Sequence, residues 1–190
     1  MILPIVAYGD PVLKAEAEDI DQSHPGLDEL VQNMWETMYE ADGVGLAAPQ
    51  VGISLRLFVC DGSPFAEGEK GDPGCKGFKR VMINPVLFDE SKGISEMEEG
   101  CLSIPGIRER VERPDSISVE YYNEKWELVE EKLTGLAARI VQHENDHLDG
   151  IMITDYLSSA KRQLLHGKLR DIGLGKVSID YRMKFPKCKR

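Results

Sequence analysis

The sequence lacks any apolar run of 18 residues, and so lacks a segment able to span a membrane as a helix. Its start, Met1-Ile2-Leu3-Pro4-Ile5-Val6-Ala7, is apolar but short. No basic n-region and no cleavage-like site accompany it, so a signal peptide is not expected, and an Arg/Ser-rich transit segment is missing too. The four cysteines, Cys60, Cys75, Cys101 and Cys188, show no paired spacing. That excludes a disulfide framework and fits a reducing compartment, the cytoplasm. Internal repeats and low-complexity tracts are absent. The net charge of −10 argues against non-specific nucleic-acid binding by the body, and no specific DNA partner is expected.

What is present is an ordinary globular composition, 42% hydrophobic and 29% charged, over 190 residues. This suits one domain, or one domain with a tail, and is enough to bury a sizeable core. The charge is uneven. Residues 160–190 hold ten Lys/Arg and two Asp, so they carry +8 while the remainder carries −18. An acidic body with a basic end suggests a polyanionic neighbour for that end; a solvated helix with a loose tail explains it equally well.

Hydrophobic spacing divides the chain into short elements. Leu27, Leu30, Val31, Met34, Trp35 and Met38 recur at three and four, predicting an amphipathic helix over residues 25–41 capped by Ser23, with both methionines in the core. Gly43 to Ala48 matches a G-x-G-x-x-A fingerprint. A dinucleotide site, however, needs a strand before it and a helix after; here a helix precedes and Pro49 discourages one following. A small-residue loop running close to something is the better reading, with Gln50 at its end. Strands are expected over 55–60 and 81–84, where Pro85 interrupts, then over 107–113, 117–122 and 126–133. Residues 62–80 read as a long glycine-rich loop in which Cys75 is incidental, and Cys60 reads as inert packing. A helix over 157–172 and a strand within 177–185 complete an α+β arrangement: short antiparallel strands flanking one central helix.

That central helix carries His143-Glu144-x-x-His147. Residues four apart lie on one helical face, so both imidazoles can reach one metal ion with Glu144 beside them as a general base. Leu133, Leu136 and Ile140 continue the same stripe upstream, which suggests a buried site. Thr134 is placed to cap the start and Gly150 to stop the end.

Three segments together resemble peptide deformylase: Gly43-Val44-Gly45-Leu46-Ala47-Ala48-Pro49-Gln50, Glu99-Gly100-Cys101-Leu102-Ser103, and Gln142-His143-Glu144-x-Asp146-His147-Leu148-x-Gly150. They occur in that family's order, and the similarity spans about residues 1–158, leaving 159–190 as a C-terminal helix and basic tail. The resemblance implies that Cys101, His143 and His147 bind one divalent metal, Fe(II) in the cell, with Zn, Ni or Co able to replace it. It implies Glu144 as the catalytic acid/base, with Gln50 and the Leu102 N–H polarising the formyl oxygen. Gly45 and Arg108 are implied in substrate binding, and Asp146 is a candidate to orient a ligand imidazole. The implied activity removes the N-formyl group from the initiator methionine of nascent polypeptides. A zinc peptidase also uses His-Glu-x-x-His, but commonly takes a third ligand downstream, and only His166 follows His147. A ribosome-associated binding module with a structural metal is the other rival. If the basic end docks on the ribosome, deleting residues 182–190 is expected to weaken that docking and spare activity on free peptides.

Overall fold

The computed structural model describes residues 1–68 and 71–186, so Cys188 and the end of the basic tail lie outside the described residues. The chain runs β1 (Ile5–Val6), α1 (Leu27–Glu40), β2 (Gly45–Ala47), β3 (Leu57–Asp61), β4 (Lys79–Phe88), β5 (Ile94–Gly100), β6 (Arg108–Pro114), β7 (Ser116–Tyr122), β8 (Leu128–Thr134), α2 (Gly135–Leu148), α3 (Ser159–Gly173) and β9 (Met183–Lys184). Five strands form one antiparallel sheet in the order β2-β3-β4-β7-β8, and β5 and β6 form a separate antiparallel pair. Among the described residues the expectation of antiparallel strands fails at an isolated parallel bridge that joins Glu18 to Leu55, and where β9 lies parallel to β1. That pairing joins the two ends of the described chain, and it reduces the expected strand over 177–185 to two residues.

Helix α2 packs among these layers. Ala137, Ala138, Val141 and Leu148 join Phe58, Met82, Ile117 and Val119 of the sheet in one buried cluster. Its polar residues Arg139, Gln142, Glu144 and His147 are buried as well. On the other face of the sheet, Met34 and Met38 of α1 pack with Leu46, Leu57 and Ile83, as the helical spacing predicted.

Several local expectations are corrected. The residue capping α1 is Gly26, in the left-handed region at φ 74, while Ser23 bonds Asp21 instead. Thr134 stands at the cap position of α2, but its side chain caps nothing. The Leu136 N–H donates to Asp72 Oδ2 at 2.7 Å, an acceptor supplied from the glycine-rich segment. Gly135, at φ 58, lies against that carboxylate, and a Cβ there would strike it. A loop that reads as a mere connection therefore closes the first turn of α2. Cys75 in the same segment is fully buried in the main cluster and is not incidental. Pro85 does not end β4. The strand passes through it with a register shift between Ile83 and Val86, and Asn84 there, at φ 50, exchanges two hydrogen bonds with the backbone of Ile20. Finally, residues 43–52 are no plain loop: they hold edge strand β2 and a 3₁₀ turn over Ala48–Val51.

Candidate metal centre

The helical spacing sets His143 and His147 on adjacent turns of α2, with ring centroids 5.2 Å apart. Strand β5 ends at Gly100, and its next residue, Cys101, delivers a sulfur 3.3 Å from His147 Nε2. One ligand atom from each of Cys101, His143 and His147 lies within 4.8 Å of the others. That spacing suits a single ion about 2.0–2.3 Å from each donor, and one thiolate with two imidazoles is a set that zinc and iron accept. Burial disfavours a proton on both rings. At His143, Cys101, Glu99 and Glu144 overcome burial and raise the pKa well above the ordinary value; at His147, burial and the nearby charge on His143 push it far down.

Glu99 orients one of these side chains, His143. One of its oxygens accepts from His143 Nδ1 at 2.9 Å, which leaves Nε2 for a metal. Its carboxylate also receives two bonds from Arg113, at 2.7 and 3.0 Å, and one from Arg139 at 2.7 Å. Burial works against this anion, but the bonds from His143 and Arg113 outweigh it and hold its pKa at about 2. Asp146, expected to orient an imidazole, instead pairs with Arg113 at 2.9 Å and accepts from the Tyr156 hydroxyl. It acts one step further out, on the arginine that holds Glu99. Sequence reasoning missed Glu99, Arg113 and Arg139 in this role. Two signals were available: Arg139 lies one helical turn before His143, and Glu99 lies two strand positions before Cys101.

Glu144 is buried in contact with β2. A Cβ at Gly45 would collide with its carboxylate, so glycine is required there by space. One carboxylate oxygen, Oε2, is buried without a hydrogen-bond partner, and burial raises the group to about 7. Gln50, also buried, accepts from the Ala47 N–H at 2.8 Å through its oxygen, which turns its amide nitrogen toward Cys101 Sγ at 3.5 Å. The Leu102 N–H has no acceptor among the described residues. These groups open onto a cavity of about 590 Å³ that Gly43, Gly45, Phe65, Leu136, Ile140 and Arg108 also line. Arg108 sits at its rim, exposed and paired with Glu98 at 2.8 Å. A larger cleft of about 780 Å³ lies elsewhere, bounded by Glu112, Gln142 and Asp149, but it reaches none of the three donors.

A family model of polypeptide deformylases matches residues 2–163. The chain is 51% identical to a peptide deformylase of Christiangramia forsetii, over 100% of this chain and 99% of that one. It is 46% identical to one of Flavobacterium psychrophilum, over 100% of both. Among solved structures, it resembles a peptide deformylase from Thermotoga maritima with a TM-score of 0.73 and 42% identity, covering 83% of this chain and 99% of that chain. A peptide deformylase from Ehrlichia chaffeensis matches with a TM-score of 0.80 and 32% identity, covering 93% and 99%. With this likeness running the length of the chain and the three donors gathered beside a buried glutamate, the chain belongs to the polypeptide deformylase family.

Proposed function

We propose that this chain removes the N-formyl group from formyl-methionine at the start of nascent polypeptides, releasing formate, with Cys101, His143 and His147 holding one divalent metal ion on helix α2. The observation that carries the reading is the convergence of those three donors beside a buried glutamate and a fixed amide. Cys101, His143 and His147 would hold the ion, and a bound divalent ion would supply a Lewis acid and lower the pKa of a water molecule toward about 7. Thiolate ligation would soften the ion's acidity, so the site accepts Fe(II), our reading for the cell, as readily as Zn, Ni or Co, and it would leave an iron-loaded site open to oxidation.

The chain's own groups then divide the work. Edge strand β2 offers backbone partners to an extended peptide, and Gly45 within it leaves room for the Glu144 carboxylate beside that strand. Phe65, Leu136 and Ile140 provide an apolar wall for the methionine side chain. Arg108, at the cavity rim, is placed for later substrate residues. Attack of water on the formyl carbon leaves charge on its oxygen, and in this reading the Gln50 amide and the Leu102 N–H are the donors that stabilise it. Glu144 takes the proton from the attacking water and returns it to the departing amine nitrogen as the C–N bond breaks. A pKa near 7 suits a group that must both accept and release that proton.

The basic end supports a ribosomal partner. Arg162 and Lys168 are exposed on α3, and RNA is the polyanion a nascent-chain enzyme meets. Residues 1–186 act as one unit in this reading, because Leu169 and Ile172 of α3 are buried against the body. The deciding assay sets formate release from formyl-Met peptides against cleavage of internal peptide bonds. Formate release without internal cleavage is expected; internal cleavage alone would make the chain a peptidase.

A further inference from the structure

The match to the family model stops at residue 163, yet the segment leading into β9 returns to the cavity. Ser178, Ile179, Asp180 and Tyr181 line it directly. Tyr181 does more than cover the opening. Its hydroxyl donates to the Leu102 carbonyl at 2.7 Å, across 79 residues of sequence, while its ring packs against the same buried cluster as the Leu102 side chain. Its pKa is pushed up to about 12 by burial and by the nearby Cys101 sulfur, so the hydroxyl stays a donor across the physiological range. The anchor behind it is firm: Met183 and Lys184 pair with Ile5 and Val6, and the Ile5 N–H donates to the Arg182 carbonyl at 2.9 Å.

We propose that Tyr181 is a positioning residue for deformylation: its hydroxyl, bonded to the Leu102 carbonyl, fixes the backbone at residue 102 so that the Leu102 N–H stays aimed into the cavity. This rests on the reading of that N–H as a donor to the formyl oxygen. The carbonyl belongs to the peptide plane after Leu102 and the N–H to the plane before it. The bond therefore constrains rotation about residue 102 and does not polarise the N–H directly. Residue 102 sits in the short turn between β5 and β6, where the Ile104 N–H donates to the Cys101 carbonyl and no ladder bond reaches Leu102. Without the tyrosine, the plane after Leu102 loses its hydrogen bond, and the N–H, whose own plane is then held only through the Ile104 bond to the Cys101 carbonyl, would sample a wider range of directions. Misplacing a catalytic donor by a fraction of an ångström is enough to cost rate without weakening substrate binding.

Tyr181→Phe isolates the hydroxyl, because the ring and its packing remain. In the zinc-loaded protein, we expect kcat on a formyl-Met peptide to fall about 5- to 20-fold with KM within about twofold, since the missing contribution acts only as charge develops on the oxygen. We also expect the ¹⁵N order parameter of the Leu102 amide to drop from about 0.85 to below about 0.6, with neighbouring strand residues unchanged. Unchanged kcat with a rigid Leu102 amide would overturn the proposal, as would a lowered Tm with kcat intact, which marks a purely structural tyrosine. If the wild type releases no formate, the deformylase reading fails on its own. The relaxation measurement then still decides whether Tyr181 holds residue 102, and an amide equally rigid in both proteins refutes it.

Discussion

At the scale of single residues, the site depends as much on the side chains behind the donors as on the donors. Glu99 joins one ligand imidazole to two buried arginines, so its loss would leave Arg113 and Arg139 without their shared anion and His143 free to turn. Glu99→Gln keeps the size and one acceptor oxygen but removes the charge. Metal affinity should fall about 10- to 100-fold in a competition titration with a chelator, and an unchanged affinity would refute the orienting role. Tyr181 gives a pH dependence of defined sign. Its folded pKa of about 12 lies above the ordinary 10.0, so the stability it adds is whole below pH 10 and is lost as the pH rises toward 12. The difference in unfolding free energy between wild type and Tyr181→Phe should stay constant from pH 8 to 10 and shrink beyond. A difference that vanishes below pH 10 would contradict it. Residues whose chemistry is carried in a local motif, such as His143 and Glu144, were legible in the sequence. The orienting roles of Glu99 and Arg113 were not, because nothing in a stretch holding Glu98, Glu99, Arg110 and Arg113 tells which two the fold buries against each other.

At the scale of elements, α2 has no acid in its first turn and no cap from its own neighbours. Its first turn is closed by Asp72, 64 residues earlier in the chain. Asp72→Ala should destabilise the protein by about 1 kcal/mol, a fall in Tm of about 2–4 °C for a chain of this length by calorimetry; no fall would show the cap to be idle. Helix positions were readable from spacing, since α1 and α2 each differ from expectation by only a residue or two at either end. What spacing could not show was the partner of each end, because a capping acceptor can come from anywhere in the sequence. The same limit explains β2. A run of three residues, Gly45-Leu46-Ala47, is too short to announce a strand by alternation, and it becomes one by pairing with β3. Pro85 misled for a related reason: a proline within a run reads as a stop, but a register shift lets the strand pass it.

At the scale of the whole molecule, the C-terminal segment packs against the rest of the chain as far as it is described. Reading residues 160–190 by charge alone separates them from the site, and on that reading removing 182–190 spares activity on free peptides. The pairing of β9 with β1 and the bond from Tyr181 to Leu102 reverse that expectation. Deleting residues 182–190 removes β9 and the anchor of Tyr181, so formate release from free peptides should fall at least as far as in Tyr181→Phe; full activity in the truncated chain would restore the detached-tail reading. Long-range pairing of two-residue strands leaves no periodic trace, which is why sequence alone could not reveal it. The account as a whole stands on one shared cation, and X-ray absorption at the metal edge of the zinc-loaded protein tests it most directly. One sulfur at about 2.3 Å and two imidazole nitrogens at about 2.0–2.1 Å, with the remaining scatterer a light solvent oxygen, is the predicted result. A spectrum with no sulfur, or with a fourth protein ligand completing the shell, would contradict it.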